Sequence, residues 1–535
     1  MHRLIIALCL FAGFWAGAAE ARPVRTVSGL IDGERADGLI IYRAIPFAAP
    51  PIGPLRWREP HPVQPWSGVR VRRSFAPSCP QAGVSMPGEM LGPTDEDCLY
   101  LNIWAPDAGR RAPLPVMVWI HGGGFTNGSA AMPLYWGDRL ARRGVIVVTI
   151  AYRLGPLGFL AHPQLSAESS HHSSGNYALL DQIAALNWIQ RNIAAFNGDP
   201  NRVTIMGQSA GATSVSILMA SPEARGLFQR AIAESGGVFE PTALAPSWRL
   251  ENAEQAGHAY AASLGATSIA ELRAMPASRL LQGQANAVSH PVVDRYVLPL
   301  SPYDAFISGQ QHDVPILIGS NEEEARSLVD LSHVTAAHYG DDIRHAWGEL
   351  PEALYQFYPH ATDAAARDAR AHFERDLRFG WDVWAWARLQ RLSGRNPAYY
   401  YHFTKSPPFP SDSIYAGWGP SHFAELWYVF DHLDQAHWAW TQSDRRLAEI
   451  MATYWTNFAK TGDPNGPGLP RWPAFAANDE VLYLGDQVSL GRVADLDGLE
   501  GFDRTYDQVR GSVFGSRQDG PPGSPPSSIT ASPNH

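Results

Sequence analysis

The stretch VTIMGQSAGATS, residues 203–214, decides how the rest of the chain is read. Val203, Thr204, Ile205 and Met206 are apolar or β-branched and read as a buried strand. They run into Gly207-Gln208-Ser209-Ala210-Gly211, and an apolar segment with helical character follows. A strand, a sharp turn with Gly on both sides of a serine, and a helix make a nucleophile elbow: the small residues let the backbone turn steeply, which leaves the hydroxyl exposed at the sheet edge. The pentapeptide alone does not separate a nucleophile from a turn serine. A serine hydroxyl attacks only with an imidazole to take its proton and a carboxylate to hold that imidazole, so the rest of the chain must supply both.

Outward from the elbow, PVMVWI at 115–120 is a continuous apolar run of the length expected for a central parallel strand. It ends in His121-Gly122-Gly123-Gly124-Phe125, and a second such run follows at 145–150. Between it and the elbow, Leu179, Ile183, Leu186 and Ile189 recur at helical spacing and predict a helix over 177–193. Strand, helix and strand in this alternation predict an α/β fold, a mainly parallel sheet with helices on both faces. Before it, 27–57 reads as edge hairpins and loop. After it, 314–318 and 398–403 resume the strands, 253–272 and 362–392 read as helical insertions covering the sheet, and 447–460 as a late helix ended by Gly462-Asp463-Pro464. No internal repeat or clean linker divides the chain, so residues 22–515 are expected to form one domain. Residues 516–535, rich in Pro, Ser and Gly, are expected to be disordered.

The formal net charge of -10 excludes a nucleic-acid partner, which needs a basic face. All but two of the 42 basic residues, Lys405 and Lys460, are Arg; codon bias accounts for this, or some arginines grip carboxylates. His2 and Arg3, an apolar run at 4–17 and Ala19-Glu20-Ala21 read as a signal peptide over 1–21 cleaved after Ala21. A secreted or periplasmic protein is therefore expected, with no stable membrane insertion after cleavage. Cleavage removes Cys9 and leaves Cys79 and Cys98, an even pair that reads as a disulfide in an oxidising compartment. No further cysteines or clustered histidines offer a metal site.

With these pieces placed, the chain resembles the type-B carboxylesterases, the α/β-hydrolase branch that includes cholinesterases and bacterial p-nitrobenzyl esterases. The motifs stand in the family's order: Arg73-Ser74-Phe75-Ala76-Pro77-Ser78-Cys79-Pro80-Gln81, Glu96-Asp97-Cys98-Leu99-Tyr100-Leu101-Asn102, the His121 glycine loop, Tyr152-Arg153-Leu154-Gly155-Pro156-Leu157-Gly158-Phe159, and the elbow. The resemblance implies the α/β-hydrolase fold and a serine carboxylic-ester hydrolase. Such an enzyme works on small-molecule esters through an acyl-enzyme, with no metal or organic cofactor.

The order expected of the fold is serine, acid, histidine. The strand ending at Ile318 delivers Glu322, Glu323 and Glu324; the family pattern maps the catalytic acid to Glu324, with Glu323 the competitor. His422, followed by Glu425, resembles the family's His-x-x-Asp/Glu element and is the expected base. Gly123, Gly124 and Ala210 are the expected oxyanion donors, because glycine lets main-chain N–H groups approach closely. Ser235 resembles a family serine that hydrogen-bonds the acid and histidine. Most relatives carry Glu before the nucleophile; here Gln208 removes that charge, so anionic esters are expected to be less repelled. Phe125, Phe239, Trp248 and Trp418 are candidate pocket walls, each more safely read as packing. The alternatives are a non-catalytic binding protein on the same fold, and an amidase, lactonase or toxin-ester (fumonisin-type) hydrolase using the same machinery.

Overall fold

The computed structural model describes residues 23–83, 91–107 and 112–510; the expected leader at 1–21 and tail at 516–535 lie outside them. Among the described residues fourteen strands follow in chain order. The first half comprises β1 (Val24–Arg25), β2 (Leu30–Asp32), β3 (Glu34–Ala36), β4 (Leu39–Pro46), β5 (Val69–Val71), β6 (Tyr100–Pro106) and β7 (Leu114–Ile120). The second comprises β8 (Ile146–Ile150), β9 (Gly198–Gln208), β10 (Arg230–Glu234), β11 (Ile316–Asn321), β12 (Ala398–Phe403), β13 (Glu480–Leu484) and β14 (Val488–Arg492). Strands β1, β2 and β5 form a small sheet, and the others one sheet of 11 in the order β14-β13-β12-β11-β10-β9-β7-β8-β6-β4-β3. From β8 to β13 along that order every pairing is parallel. The edges beyond are antiparallel.

This is the α/β-hydrolase architecture. Successive side chains of a strand point to opposite faces. In β7, Val116, Val118 and Ile120 enter one core with Ile205 and Ile318, while Met117 and Trp119 enter the other with Met206, Ile232 and Leu317. Both faces are covered, which is why these strands read as unbroken apolar runs.

The helix expected over 177–193 is Tyr177–Asn192. That over 253–272 is two helices, Leu250–Ser263 and Ile269–Ala274, because Gly265 takes φ +80° between them. The long helix expected over 362–392 runs Asp363–Arg375, widens into a π-turn at Asp376–Gly380, and continues as Trp381–Ser393. The late helix is Gln442–Thr461, starting earlier than its apolar pattern because Thr441 and Asp444 form a reciprocal capping box. Cys79 and Cys98 are joined in a disulfide at the entry to β6. Functional groups of open parallel sheets collect at the carboxyl ends of the strands. Here that edge gathers the ends of β7, β9, β11 and the segment following β12.

Candidate active site

Ser209 sits between the end of β9 and the helix Ala210–Ala220, with φ +57° and ψ −126°. Such a conformation is sparsely populated for a residue with a side chain and is held by its surroundings. Its N–H donates to the Glu234 carbonyl (2.9 Å) and its carbonyl accepts from Thr213 N–H (2.9 Å). The flanking glycines are dictated by space. A Cβ on Gly211 would lie 2.1 Å from the Ile120 carbonyl oxygen, and one on Gly207 would lie 2.5 Å from the Gly211 carbonyl carbon. The elbow is therefore pressed against the end of β7.

Two distant segments meet at this edge. Glu324, just past β11, is fully buried; its Oε1 accepts the Asn321 N–H (2.7 Å) and its Oε2 lies 2.6 Å from His422 Nδ1. With both its oxygens engaged, this carboxylate is fixed on the imidazole. Glu323 instead pairs with Arg326 (2.5 Å), and Glu322 is exposed, its carboxyl raised by partial desolvation and by Glu323 beside it. The Gln208 amide nitrogen is 3.3 Å from His422 Nε2 and 3.5 Å from Nδ1. Near-equal distances place it over the ring, not in the ring plane where the nitrogen lone pair lies. Phe379 stacks on the same imidazole at 4.5 Å and 13°.

Behind this pair lies a buried carboxyl cluster that the sequence did not disclose. Glu425 Oε2 accepts from Asn321 Nδ2 (2.5 Å), and Glu234 Oε1 accepts the Trp455 indole N–H (2.6 Å). Burial pushes the Glu234 carboxyl up to about 8, against the pull of Trp455. Burial, and then the charges of Glu234 and Glu324, raise Glu425 well above the carboxylate range. Both shifts favour the proton-bearing form of a buried carboxyl.

Ser235 departs from expectation. It is buried at φ +52°, and its hydroxyl has no hydrogen-bond partner among the described residues, while Asn321 and His422 are the groups in contact with the two oxygens of Glu324.

The glycine loop after β7 has φ +105° at Gly123 and +58° at Gly124. His121 anchors it: burial pulls its imidazole down to about 4, so the ring is neutral and its Nδ1–H donates to the Gly122 carbonyl at 2.8 Å. Gly123, Gly124, Ala210, Gln208, Ser209 and His422 all line one cavity of about 570 Å³. Phe125 and Trp248 line it as well. Phe239 does not: it is fully buried, packed on Phe306 and Trp386 at 5.5 and 5.3 Å. Nor does Trp418, which packs against Tyr415 (5.3 Å) and Phe423 (6.4 Å).

Leu377, Arg378, Phe379 and Asp382 complete the wall above the serine, together with Glu240 and Tyr506. For Leu377, Arg378, Phe379 and Asp382 the sequence signal is a helical pattern in 362–392, in which a π-turn is invisible. Among the described residues no group of three or more His, Cys, Asp or Glu could hold a metal ion. Among the same residues no helix is long and apolar enough to cross a membrane.

An acid-bound imidazole, a strained serine and a loop of unblocked N–H groups on one cavity suit acyl transfer. Comparison with known proteins gives the same answer. The model of the carboxylesterase family matches residues 20–495. The chain is 39% identical over 490 residues to a fumonisin B1 esterase of Sphingopyxis macrogoltabida, covering 87% of each. It is 34% identical over 497 residues to the para-nitrobenzyl esterase of Bacillus subtilis strain 168, covering 87% of this chain and 95% of that one. A solved thermophilic p-nitrobenzyl esterase superposes with a TM-score of 0.78 at 32% identity, over 90% of this chain and 99% of that one. With a family match over nearly the whole length and a sheet of the same architecture, this chain belongs to the carboxylesterase family and is a carboxylic ester hydrolase acting on small-molecule esters.

Proposed function

We propose that Ser209 is the nucleophile, His422 the general base and Glu324 the carboxylate that orients it, with Gly123, Gly124 and Ala210 N–H groups receiving the oxyanion. The observation that carries this reading is the 2.6 Å contact of Glu324 with His422 Nδ1, in a histidine that shares its cavity with the elbow serine. Holding the proton on Nδ1 leaves Nε2 with the lone pair. That nitrogen takes the Ser209 proton as Oγ attacks the ester carbonyl, and returns it to the departing alkoxide. Water activated by the same nitrogen then hydrolyses the acyl-enzyme, and both tetrahedral intermediates place their negative charge at the glycine loop.

Ser209→Ala is expected to abolish hydrolysis of short-chain p-nitrophenyl esters while keeping the wild-type melting temperature. Turnover in that variant equal to the wild type overturns the mechanism. Labelling of Ser209 by a fluorophosphonate separates the enzyme from a non-catalytic binding protein.

We further infer that the chain works outside the reducing cytosol, after export and cleavage following Ala21; the Cys79–Cys98 disulfide supports this. N-terminal sequencing of the protein recovered from its native host is expected to begin at Arg22. An intact Met1 or a reduced cysteine pair argues against export.

A further inference from the structure

The wall of the cavity facing the elbow is built by an interruption in a helix. In a regular α-helix successive side chains point about 100° apart, so three in a row cannot share one cavity wall. The π-turn Asp376–Gly380 widens the helix, and Leu377, Arg378 and Phe379 all line the active cavity. Widened turns of this kind concentrate at functional positions. Phe379 serves His422 by stacking on it. Arg378, its neighbour in the chain, serves no residue of the catalytic apparatus.

Arg378 is nevertheless held in place. Its Nε donates to Glu374 Oε2 (2.6 Å), and its guanidinium lies 4.5 Å over the Trp347 ring. Trp347 in turn donates its indole N–H to Glu374 Oε1 (2.7 Å). Glu374 is buried and also bonded by Arg370, so a single carboxylate is divided between two guanidinium groups. The two η nitrogens of Arg378 have no hydrogen-bond partner among the described residues, and the side chain is 34% exposed. A guanidinium fixed at Nε and stacked on an indole, with its outer N–H edge free toward a cavity, matches the planar bidentate geometry of a carboxylate.

The other charged candidates on this wall do not compete. Glu240 and Asp382 are both pushed toward their protonated forms, chiefly by burial, and Asp382 is occupied by the Phe239 N–H (2.9 Å). Gln208 brings no charge beside the nucleophile. Arg378 is the permanent charge of the lining.

We propose that Arg378 is a specificity-determining residue of this cavity, receiving a carboxylate carried by the ester substrate a short chain away from the scissile bond. The substrate class is the half-ester of a di- or polycarboxylic acid, and the inference rests on the ester-hydrolase reading above. Half-esters leave a second carboxylate on the acyl side, and Arg378 lines the same cavity as Ser209 and His422.

The test compares mono-p-nitrophenyl adipate and suberate with their terminal carboxamides, which match them in size but carry no charge. The readout is the carboxylate-to-carboxamide ratio of kcat/KM within each protein, so a general loss of activity cannot mimic the effect. The wild type is expected to favour the carboxylate by about tenfold, the scale of a charge-assisted contact. The preference should fall toward unity in Arg378→Gln, persist in part in Arg378→Lys, and shrink in the wild type at high salt. A wild type without preference overturns the proposal, as does a ratio unchanged in Arg378→Gln. If Arg378→Gln does not fold, a wild-type ratio indifferent to salt and to Arg378→Lys overturns it. Ser209-dependent turnover of both esters with no preference for the carboxylate shows the ester-hydrolase reading standing while this inference falls; no turnover of any ester brings down both.

Discussion

The two sides of the cavity are built by different means. On the floor, the elbow is fixed by backbone crowding: Gly211 lies where a single added carbon would strike the Ile120 carbonyl, and Ser209 is bent to φ +57° by its place between β9 and its helix. The opposite wall is fixed by side chains: a π-turn, a shared carboxylate at Glu374 and a ring stacked on His422. A floor set by sterics tolerates almost no substitution and performs the same reaction on any ester placed on it. The charged part of the wall, Arg378 held on Glu374 and Trp347, bonds neither Ser209 nor His422 and can change without disturbing that reaction. Catalysis and selectivity thus occupy separable parts of one cavity.

The comparison can be broken most severely at the floor. Gly211→Ala is expected to cost the folded protein itself, because strand and helix must part to admit the methyl group; soluble yield and melting temperature report it. Near-normal stability would mean the crowding is not decisive. Glu324→Gln keeps shape while losing the charge that orients His422, so kcat is expected to fall about 10³–10⁴-fold with little change in melting temperature. A loss below about tenfold would return the role to another carboxylate.

The carboxyl cluster beneath the floor predicts a dependence on pH. Glu234 is raised from 4.5 to about 8 in the folded protein. As pH rises through that window the unfolded chain ionises this group while the folded chain keeps its proton. The unfolded state then binds fewer protons, and stability falls until about pH 8, where the contribution levels off. Glu234→Gln is expected to narrow the difference in Tm between pH 5 and pH 8 by about 2–4 °C. An unchanged difference would mean the cluster holds its proton elsewhere.

The smallest effect lies where floor and wall meet. Gln208→Glu places a charge over His422 and is expected to shift the preference between matched cationic and anionic esters by about three- to tenfold toward the cation. No shift would mean that the wall alone sets charge preference.

Most of the floor was legible in the sequence and much of the wall was not, for a physical reason. The elbow, the glycine loop and the strands that carry them are local: Gly207, Gly211 and the run at 115–120 announce themselves within a few residues. Glu324 and His422 are 98 residues apart, but each stands just past a recognisable strand, in the order the fold requires. The family pattern chose Glu324 over Glu323, and in the structure Glu324 is the glutamate in contact with His422 while Glu323 turns to Arg326. The carboxyl cluster draws Glu234, Asn321 and Glu425 from three segments, and nothing in any of them signals that they share a buried site. Ser235 was expected to bond the acid and histidine because it resembles a family serine, yet a resemblance in sequence does not show which way a hydroxyl is turned, and here it has no partner among the described residues. Phe239 and Trp418 illustrate the same limit: a large aromatic near a motif packs into the core as readily as it lines a cavity.

The cavity lining begins at Gly122 and ends at Tyr506, in the helix Leu496–Arg510 that closes the described chain. A nascent polypeptide therefore carries Ser209, the proposed nucleophile, for some three hundred residues of synthesis before the last described piece of the enclosure emerges. Closure of the cavity thus waits for the helix Leu496–Arg510, and a fragment truncated ahead of it would hold the proposed nucleophile, acid and base with one side of their vessel missing.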